Sequence, residues 1–314
     1  MKWLAGIGIV LAALAALFWY AVLDAAAPAE ADGIVDLAAY RELVANDATA
    51  TLPTAVNIEF VGESNAPSFV TEAGAFGADR TMSYNSFQLV APNGDTIIDG
   101  AVDRDTLDQM SQGKGSFDEQ AYERVLNAMT RSPTVMITHE HLDHVMAIAR
   151  HPQPADIARN LDLTAAQLAG LPQHAPNGRL APEIAGATQL DLTQPQRIAP
   201  GVVAVAMPGH SPGTILIYAK TATREYLFIG DIAWVMGSVE HLRGRPRLIT
   251  WIMPGVDPGR GDVLRQLRAL HDVAAANPDL VLVPAHDDAY LRSLIASGTL
   301  GQGFTSAQPA AAPE

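Results

Sequence analysis

The chain begins with an unbroken apolar run and continues as short apolar segments separated by polar loops. The run from Trp3 to Leu23 has 21 residues, enough to span a bilayer core at about 1.5 Å per residue. Lys2 precedes it and acidic residues follow, so we expect the rest of the chain outside the cytoplasm. Residues 27–29 and 29–31 both fit a small-x-small cleavage site. The run exceeds the h-region of a secretory signal, about 7–15 residues, which favours a retained anchor over a cleaved signal peptide.

Beyond this run, short apolar or alternating segments bounded by turn residues predict strands. They are residues 55–61, 86–91, 96–99, 134–138, 202–207, 214–219, 226–229 and 280–283. Apolar residues at helical spacing predict helices at 36–45, 117–130, 262–275 and 289–295. We expect residues 62–81 to form a loop, and 151–190 to be an insertion without its own core. Runs of strands with helices between them favour sheets covered by helices, in the α/β or α+β class.

Composition narrows the possible chemistry. The chain has 314 residues, a formal charge of −14 and 48% hydrophobic residues, enough apolar material for a sizeable core. Such a negative charge repels phosphate backbones and argues against a nucleic-acid partner. Cysteine is absent, which excludes disulfides, iron–sulfur clusters, thiolate zinc sites and a cysteine nucleophile. Any metal must therefore be held by histidine and carboxylate.

Four ligand-type side chains fall within six positions directly after the predicted strand 134–138. They are His139, His141, Asp143 and His144. His139 and His141 are two residues apart, so at a strand end both point to the same side. Asp143 and His144 follow where the chain turns into the next helix. Two groups of ligands therefore face one small volume, which suits two metal ions roughly 3.5–4 Å apart. Glu140, between them, is expected to be a solvated loop carboxylate.

Three further candidate ligands each follow a different predicted strand. His210 comes after 202–207, Asp231 after 226–229, and His286 after 280–283. Taken singly, each of these is an ordinary loop, core or turn residue. Their shared position at strand ends, where layered α/β proteins build their sites, favours a joint role in metal binding.

Taken in order, these motifs resemble the metallo-β-lactamase superfamily. The resemblance covers roughly residues 55–297 and rests on His-x-His-x-Asp-His, Gly-His-Ser-Pro-Gly, Gly-Asp and Pro-Ala-His. It implies a four-layer αββα sandwich with a dinuclear zinc site at one sheet edge. Residue by residue, it implies a first metal on His139, His141 and His210, and a second on Asp143, His144 and His286. Asp231 would bridge the two, and Asp99 would support the site from behind.

The donor set has chemical consequences of its own. Imidazole and carboxylate without thiolate suit zinc, with manganese or iron as alternatives. We expect two Zn²⁺ per chain. Water bound to zinc has a pKa of about 7, so a metal-bridging hydroxide is the expected nucleophile. Asp143 can also accept a proton from the attacking water.

The superfamily hosts several activities, and the fold does not choose among them. The pair Asp143-His144 departs from the zinc β-lactamases, whose second site usually lacks this histidine. Quorum-quenching lactonases share the seven ligands but carry a tyrosine three residues after the bridging aspartate, where this chain has Trp234. The phenols left to replace it are those of Tyr84, Tyr226 and Tyr290.

The stretch from Trp234 to Pro254 combines apolar residues with alternating arginines. One interpretation is a solvated edge strand with an apolar underside. The other is a loop over the metals that binds an apolar acyl chain and anchors a carboxylate by arginine. Trp234, Arg245 and Trp251 are the substrate-contact candidates of the second interpretation. Residues 151–190 would then form the opposite wall of the site.

The sequence therefore predicts an extracytoplasmic, zinc-dependent hydrolase of an ester, lactone or related acyl bond in a small molecule. The alternatives are a thioesterase of the glyoxalase II type, a mononuclear iron persulfide oxygenase, and a non-catalytic metal-binding module. We expect three parts: a signal peptide or membrane anchor with a linker at 1–31, the catalytic domain at 32–302, and a disordered tail at 303–314. The membrane contact would run through residues 3–23, with the domain in the periplasm, either anchored or released by cleavage.

Overall fold

The computed structural model describes residues 2–305. Its helices are α1 Lys2–Phe18, α2 Leu37–Leu43, α3 Ser68–Thr71, α4 Arg104–Ser111, α5 Glu119–Arg131, α6 Leu142–Ala149, α7 Pro154–Ala158, α8 Ala165–Gly170, α9 Pro182–Ala185, α10 Met236–Glu240, α11 Arg247–Ile252, α12 Arg260–Ala276 and α13 Asp288–Ala296. Its strands are β1 Ala55–Ala66, β2 Arg80–Val90, β3 Thr96–Ile98, β4 Ser116–Phe117, β5 Thr134–Met136, β6 Leu163–Thr164, β7 Gln189–Leu190, β8 Gln196–Ala199, β9 Val202–Ala206, β10 Ile215–Lys220, β11 Glu225–Gly230, β12 Leu280–Pro284 and β13 Gly301–Gln302. Single helical turns lie at Thr49–Thr51, Leu171–His174 and Pro176–Gly178, and α1 continues as a π-helical segment, Trp19–Leu23.

Two mixed sheets form the centre of the molecule. The six-stranded sheet has the order β13-β1-β2-β3-β5, with β4 paired to β1, and the five-stranded sheet has the order β12-β11-β10-β9-β8. A small two-stranded sheet of β6 and β7 lies in the expected insertion. β3 with β5, and β11 with β12, are parallel pairs. Their carboxyl ends bring together the loops that carry the candidate ligands.

Alternation along the strands builds four layers. On β10, Ile215 and Ile217 pack into the core between the two sheets, with Phe87 from β2 on the other side. Leu216 and Tyr218, the intervening residues, pack on the opposite face against α2, α10 and α12. The outer face of the first sheet is covered by α5, α6 and α7 in a third cluster. β10 is therefore apolar on both faces, as buried strands of layered proteins are.

The predicted strands and helices are present, with two corrections. Residues 62–81 are not simply a loop, because β1 and β2 continue as a long hairpin whose register runs to Ala66 opposite Arg80. The stretch 234–254 is not an edge strand, because it folds into α10 and α11. In the hairpin, polar residues such as Asn65 and Thr81 are exposed on regular strands, a pattern that sequence alone does not separate from a loop. In α11 the exposed residues are the apolar Trp251 and Ile252, so the pattern there does not show which face is buried.

The chain's end is only partly described. Residues 306–314, most of the expected disordered tail, lie outside the described residues. The assignment of 303–305 to that tail is wrong, since Gly303 N donates to the Ile58 carbonyl and Phe304 N to Glu59 Oε2. The folded domain therefore extends at least to Thr305, whose N–H donates to Gln88 Oε1.

The N-terminal segment forms a long apolar helix, and the residues after it contact the domain. Among the described residues, one helix, Trp3–Leu23, has the length and apolar composition to cross a membrane, and it is mostly unburied. The chain that follows pairs with the domain: Ala27 N donates to the Leu242 carbonyl, and Gly244 N donates to the Ala25 carbonyl, at 2.8 and 2.9 Å. Asp24 also forms an ion pair with Arg247 at 3.0 Å. The expected linker is thus a short strap fixed to the domain surface.

Candidate metal centre

Four strand ends deliver the candidate ligands to one point. The segment after β5 carries His139 and His141, and the first turn of α6 carries Asp143 and His144. The loops after β9, β11 and β12 carry His210, Asp231 and His286. At Gly230 the backbone has φ of 48°, and a Cβ there would lie 2.8 Å from Thr138 Cβ. Glycine is therefore required for β11 to turn Asp231 toward the histidines.

The first cluster comprises His139, His141, His210 and Asp231, whose ligand atoms lie within 4.8 Å of one another. His139 Nε2 and His210 Nε2 lie 3.0 and 2.9 Å from His141 Nδ1. His139 and His210 are fully buried. Three imidazole nitrogens turned toward one another in this way form a donor set for one cation.

The second cluster comprises Asp143, His144, Asp231 and His286, also within 4.8 Å. His286 Nε2 lies 3.2 Å from His144 Nε2 and 3.3 Å from Asp143 Oδ2. It has two imidazoles where the first cluster has three. The structure therefore brings together all seven residues predicted from the sequence, in the two groups expected.

Asp231 belongs to both clusters because its two oxygens face different ways. Oδ2 lies 3.6 Å from His139 Nε2 and 3.4 Å from His210 Nε2. Oδ1 lies 3.3 Å from His144 Nε2 and 3.0 Å from His286 Nε2. Although it is buried, Oδ1 has no hydrogen-bond partner among the described residues. A buried carboxylate oxygen left without a donor indicates that another positively charged group belongs beside it.

An acceptor holds the far side of three of the five imidazoles. His144 Nδ1 donates to Asp99 Oδ2 at 3.0 Å, and His286 Nδ1 donates to the Ser83 carbonyl at 2.8 Å. His210 Nδ1 donates to Asp257 Oδ1 at 2.8 Å. Each bond fixes the tautomer that turns Nε2 toward the cluster. Asp99 is therefore placed as the resemblance implies, and Asp257 is a residue that sequence reasoning missed.

Charge and burial set the protonation of these groups. Burial, with His210 adding repulsion, lowers the pKa of His141 to about 4, and burial lowers the pKa of His139 well below its usual range. Burial alone would raise the pKa of Asp231, but the surrounding imidazoles outweigh it and hold that pKa well below the usual range. For His144, burial opposes the charged form, yet the carboxylates of Asp99 and Asp231 outweigh it and raise its pKa. His139 and His141 thus present neutral imidazoles beside an anionic Asp231, the states in which they bind metals. For His210, burial opposes the charged form, but the carboxylates of Asp231 and Asp257 outweigh it and raise its pKa.

A cavity of about 400 Å³ opens over the clusters. His141, Asp143 and Asp231 form its polar floor, and Trp234, Met110, Leu142 and Met253 contribute apolar walls. Gln173 and His174 also line the cavity, so the insertion contributes to its wall. An apolar pocket with a few convergent polar groups is the usual form of a small-molecule site.

Trp234 lines this cavity, as its predicted role as a substrate contact requires. Its indole Nε1 donates to Asp231 Oδ2 at 2.6 Å. Of the three tyrosines considered as substitutes for a phenol here, Tyr84 lies beside the site, with its ring 5.4 Å from that of His286. Burial, reinforced by the nearby Asp143 carboxylate, raises the pKa of Tyr84, so it stays protonated at neutral pH. Tyr226 instead donates to the Thr299 carbonyl.

The prediction that Arg245 anchors a substrate carboxylate is wrong. Its side chain is 2% exposed and is absent from the cavity wall. Its guanidinium donates to both oxygens of Asp257, at 2.9 and 2.5 Å, and stacks 4.8 Å over the ring of Trp234. Arg245 therefore holds Asp257, which in turn holds His210.

The prediction that Trp251 contacts substrate is also wrong. Trp251 is 50% exposed and does not line the cavity. Its ring lies 6.1 Å from that of Tyr20, at the end of the apolar N-terminal helix. Trp251 is close to the site residues in sequence, but it lies on the outer surface of the domain.

Glu140 is buried rather than solvated. It is 5% exposed, its Oε2 accepts from Ser211 Oγ at 2.8 Å, and its Oε1 accepts from Gly213 N at 3.1 Å. It therefore ties the loop of His139 and His141 to the loop of His210. Nothing in the local sequence signals this role, since the partner loop lies about seventy residues away along the chain.

We expect Glu140→Ala to lower the free energy of unfolding by about 1–3 kcal/mol, because a buried hydroxyl and a buried N–H lose their acceptor. Glu140→Gln should cost less, since the amide oxygen still accepts one bond. Chemical denaturation of the metal-free protein measures both. Equal stability of Glu140→Ala and the parent would show that this contact does not hold the two loops together.

Comparison with known proteins gives distant relatives. No protein-family model matches the chain. A probable metallo-hydrolase of Mycobacterium tuberculosis is 26% identical over 183 residues, covering 49% of this chain and 54% of the relative. A probable metallo-hydrolase of Mycobacterium bovis matches to the same extent. The chain thus spans about half the length of the curated relatives it matches.

Solved structures are similar over more of the chain. An N-acyl homoserine lactone hydrolase with the product N-hexanoyl-L-homoserine at its catalytic metal centre aligns with a TM-score of 0.54 and 14% identity, over 77% of this chain and 96% of its own. A probable metal-dependent hydrolase from Staphylococcus aureus aligns with a TM-score of 0.56 and 11% identity, over 76% and 91%. At such identities the likeness shows the fold, and it confirms the expected αββα architecture.

Proposed function

We propose that this chain, whose fold is that of the metallo-β-lactamase superfamily, is a metal-dependent hydrolase of an ester, lactone or related acyl bond. The observation that carries the proposal is the division of Asp231 between two clusters, with Oδ2 toward His139 and His210 and Oδ1 toward His144 and His286. A carboxylate so placed spaces two cations and reduces the repulsion between them.

The residues present fit two divalent cations. The donor set is five imidazoles and two carboxylates, and the buried Asp231 Oδ1, which accepts no hydrogen bond from the described residues, is free to bind a cation. Imidazole with carboxylate suits zinc, and we propose zinc at both positions. An iron oxygenase of this fold needs only the first cluster, so the complete second cluster favours the hydrolase.

When bound, such cations polarise a carbonyl oxygen and make water a stronger acid at neutral pH. The protein's own groups supply the rest of the chemistry. Asp143 lines the cavity and is more exposed than Asp231, at 17% against 3% of the side chain, so it can accept a proton from an attacking water. Trp234 and the apolar wall exclude bulk water and orient the acyl group. Tyr84 is protonated at neutral pH and its ring lies 5.4 Å from that of His286, so we propose it as the phenol that gives the leaving group a proton.

The cavity and the structurally similar proteins both support the proposed substrate class. A small, largely apolar cavity over a polar floor suits an acyl compound of modest size. The similar lactone hydrolase holds an N-acyl product at its metal centre, which supports esters and lactones as first substrates to test. A thioester presents the same carbonyl to the same groups, and it is the second class to test.

We further propose that the N-terminal segment stays attached as a membrane anchor, with the catalytic domain, from residue 32 to at least Thr305, outside the cytoplasm. Cleavage after Ala29 or Ala31 would remove the strap that pairs with Leu242 and Gly244 and the ion pair of Asp24 with Arg247. These contacts would serve no purpose in a signal peptide that is discarded.

We expect the purified chain to carry about two zinc ions and to lose hydrolysis when a chelator removes them. His286→Ala should reduce the zinc content to about one ion per chain, because the second cluster then keeps one imidazole. It should also lower the hydrolytic activity by orders of magnitude. Elemental analysis and a panel of ester, lactone and thioester substrates measure both.

The matched control is His271→Ala, a partly exposed histidine on α12 whose side chain bonds, within the described part of the chain, only to Asp272. It should keep both ions and full activity. A single tightly held ion in the parent, with activity unchanged in His286→Ala, would exclude a dinuclear site.

A further inference from the structure

A continuous apolar surface joins the N-terminal helix to the mouth of the cavity. We name it the interfacial patch, and its members are exposed large apolar side chains from three segments of the chain. They are Phe18, Trp19, Tyr20, Phe76, Trp251 and Ile252, between 44% and 64% exposed. Soluble surfaces rarely group such residues, and a group of this kind marks a surface that something apolar covers.

The patch is held together by contacts between the helix and the domain. The ring of Phe76 lies 6.4 Å from that of Phe18, and the ring of Trp251 lies 6.1 Å from that of Tyr20. Phe18 and Tyr20 precede Leu23, the last residue of the apolar run, by five and three positions. At about 1.5 Å per residue, these contacts lie roughly 5–8 Å below the end of the run. Phe76 and Trp251 therefore sit at the depth of the helix's last turns.

Polar groups border the patch on the side of the domain. Arg247 lies beside Asp24, just beyond the apolar run, and its guanidinium is 4.2 Å over the ring of Tyr20. Helix α11 starts at this arginine and ends at Ile252. Both Arg247 and Trp251 of this helix therefore contact Tyr20, near the end of the apolar run. Arginine beside aromatic rings at the end of an apolar helix is the arrangement found at a membrane interface.

The same loop then enters the site. Met253, the next residue, is 42% exposed and lines the cavity, as do Pro254 and Gly255. From Trp251 to Pro254 an extended chain spans at most about 10 Å. The mouth of the cavity therefore opens beside the patch rather than on the far side of the domain.

We propose that the interfacial patch rests in the headgroup–acyl boundary of the bilayer crossed by the N-terminal helix. We further propose that the cavity takes from this surface an ester or lactone that carries an alkyl chain. The occupant is a lipid surface rather than a second copy of the chain, because the patch continues directly into an apolar helix that the described residues leave bare. The substrate class rests on the proposed hydrolase function, whereas the docking of the patch does not.

Docking is tested without activity. The chain has no cysteine, so Ile252→Cys accepts one environment-sensitive fluorophore in the full chain, reconstituted in phosphatidylcholine vesicles. We expect blue-shifted emission and quenching by lipids that carry a quencher near the headgroup. Leu43→Cys, at another exposed apolar position that is 40% exposed on α2, is the matched control and should report water. An Ile252 probe that reports water like the control, or is quenched only by other labelled chains, overturns the docking.

The substrate class is tested with two esters and the zinc-loaded full chain in the same vesicles. One is 4-nitrophenyl butyrate in solution, and the other is 4-nitrophenyl dodecanoate embedded in the bilayer. Ile252→Glu should lower kcat/KM for the embedded ester about tenfold, by lifting the mouth from the lipid, and leave the soluble ester within about twofold. Leu43→Glu should change neither.

The outcomes separate the two proposals. Hydrolysis of neither ester by the parent would count against both the hydrolase and the substrate class, while the fluorescence still decides the docking. Hydrolysis of the embedded ester that Ile252→Glu leaves unchanged, or equal losses on both esters, would overturn lipid-side entry and leave the hydrolase standing.

Discussion

Replacing Asp231 with asparagine should empty the second metal position and lower kcat by about 10²-fold or more. The amide keeps the shape of the side chain but removes the charge that faces His139 and His210 on one side and His144 and His286 on the other. Two dications at such short range repel strongly without an anion between them. The second cluster has only two imidazoles, so it should release its ion first.

Metal content and steady-state kinetics of the same preparations measure this effect. Asp272→Asn is the matched control, because Asp272 is exposed and bonds only its helix neighbours Arg268 and His271. It should retain two ions and the parent kcat. Should Asp231→Asn hold two ions and turn over at near the parent rate, Asp231 would not be the shared ligand and the site would need another assignment.

Much of the site could be predicted because its signal is local. His139, His141, Asp143 and His144 share one short segment directly after a buried strand. Single ligands such as His286 carry little information alone, but each follows a strand recognisable by its apolar run. The parallel pairs β3–β5 and β11–β12 then bring these strand ends together. Runs of strands with helices between them likewise predicted sheets covered by helices, and the resemblance to the metallo-β-lactamase superfamily supplied the four-layer order.

The remainder depends on partners outside the local segment, from 12 to 71 positions away along the chain. Arg245 stands in an alternating basic stretch that looks exposed, yet it is enclosed with Asp257, a residue whose φ of 51° lies in the left-handed region. Neither that backbone conformation nor the pairing has a local pattern. Glu140 is similar, because a single glutamate in a polar motif does not reveal Ser211 opposite it.

The case of Trp251 has a different cause. The sequence places Trp251 near the site residues and identifies it as apolar, and the structure agrees on both points. What the pattern cannot show is that the N-terminal helix returns to this surface, so that Tyr20 and Trp251 meet across more than two hundred positions of the chain. An aromatic residue that looked like a substrate contact is instead part of the surface beside the anchor.

Arg245→Met should lower the free energy of unfolding of the metal-free chain by about 3–5 kcal/mol, because it leaves a buried carboxylate without its cation. Asp257 is about 1% exposed in its side chain, and burial opposes its charge, but Arg245 and then His210 outweigh burial and hold its pKa well below the usual range. Once the guanidinium is gone, the carboxylate keeps only the bond from His210. That bond orients a ligand of the first cluster, so zinc affinity should also fall, by about 10–100-fold.

Urea unfolding in detergent micelles and competitive zinc titration measure the two effects. Arg265→Met is the matched control, since Arg265 is about half exposed and pairs only with Asp262 three residues earlier on the same helix, and it should cost less than about 1 kcal/mol. Adding Asp257→Asn to Arg245→Met should restore part of the stability, because the unpaired charge is then gone. If Arg245 instead bound a substrate carboxylate, Arg245→Met would leave stability and zinc affinity unchanged. It would raise KM only for substrates that carry a carboxylate. That pattern would return Arg245 to the substrate site and remove the chain of contacts from Arg245 through Asp257 to His210.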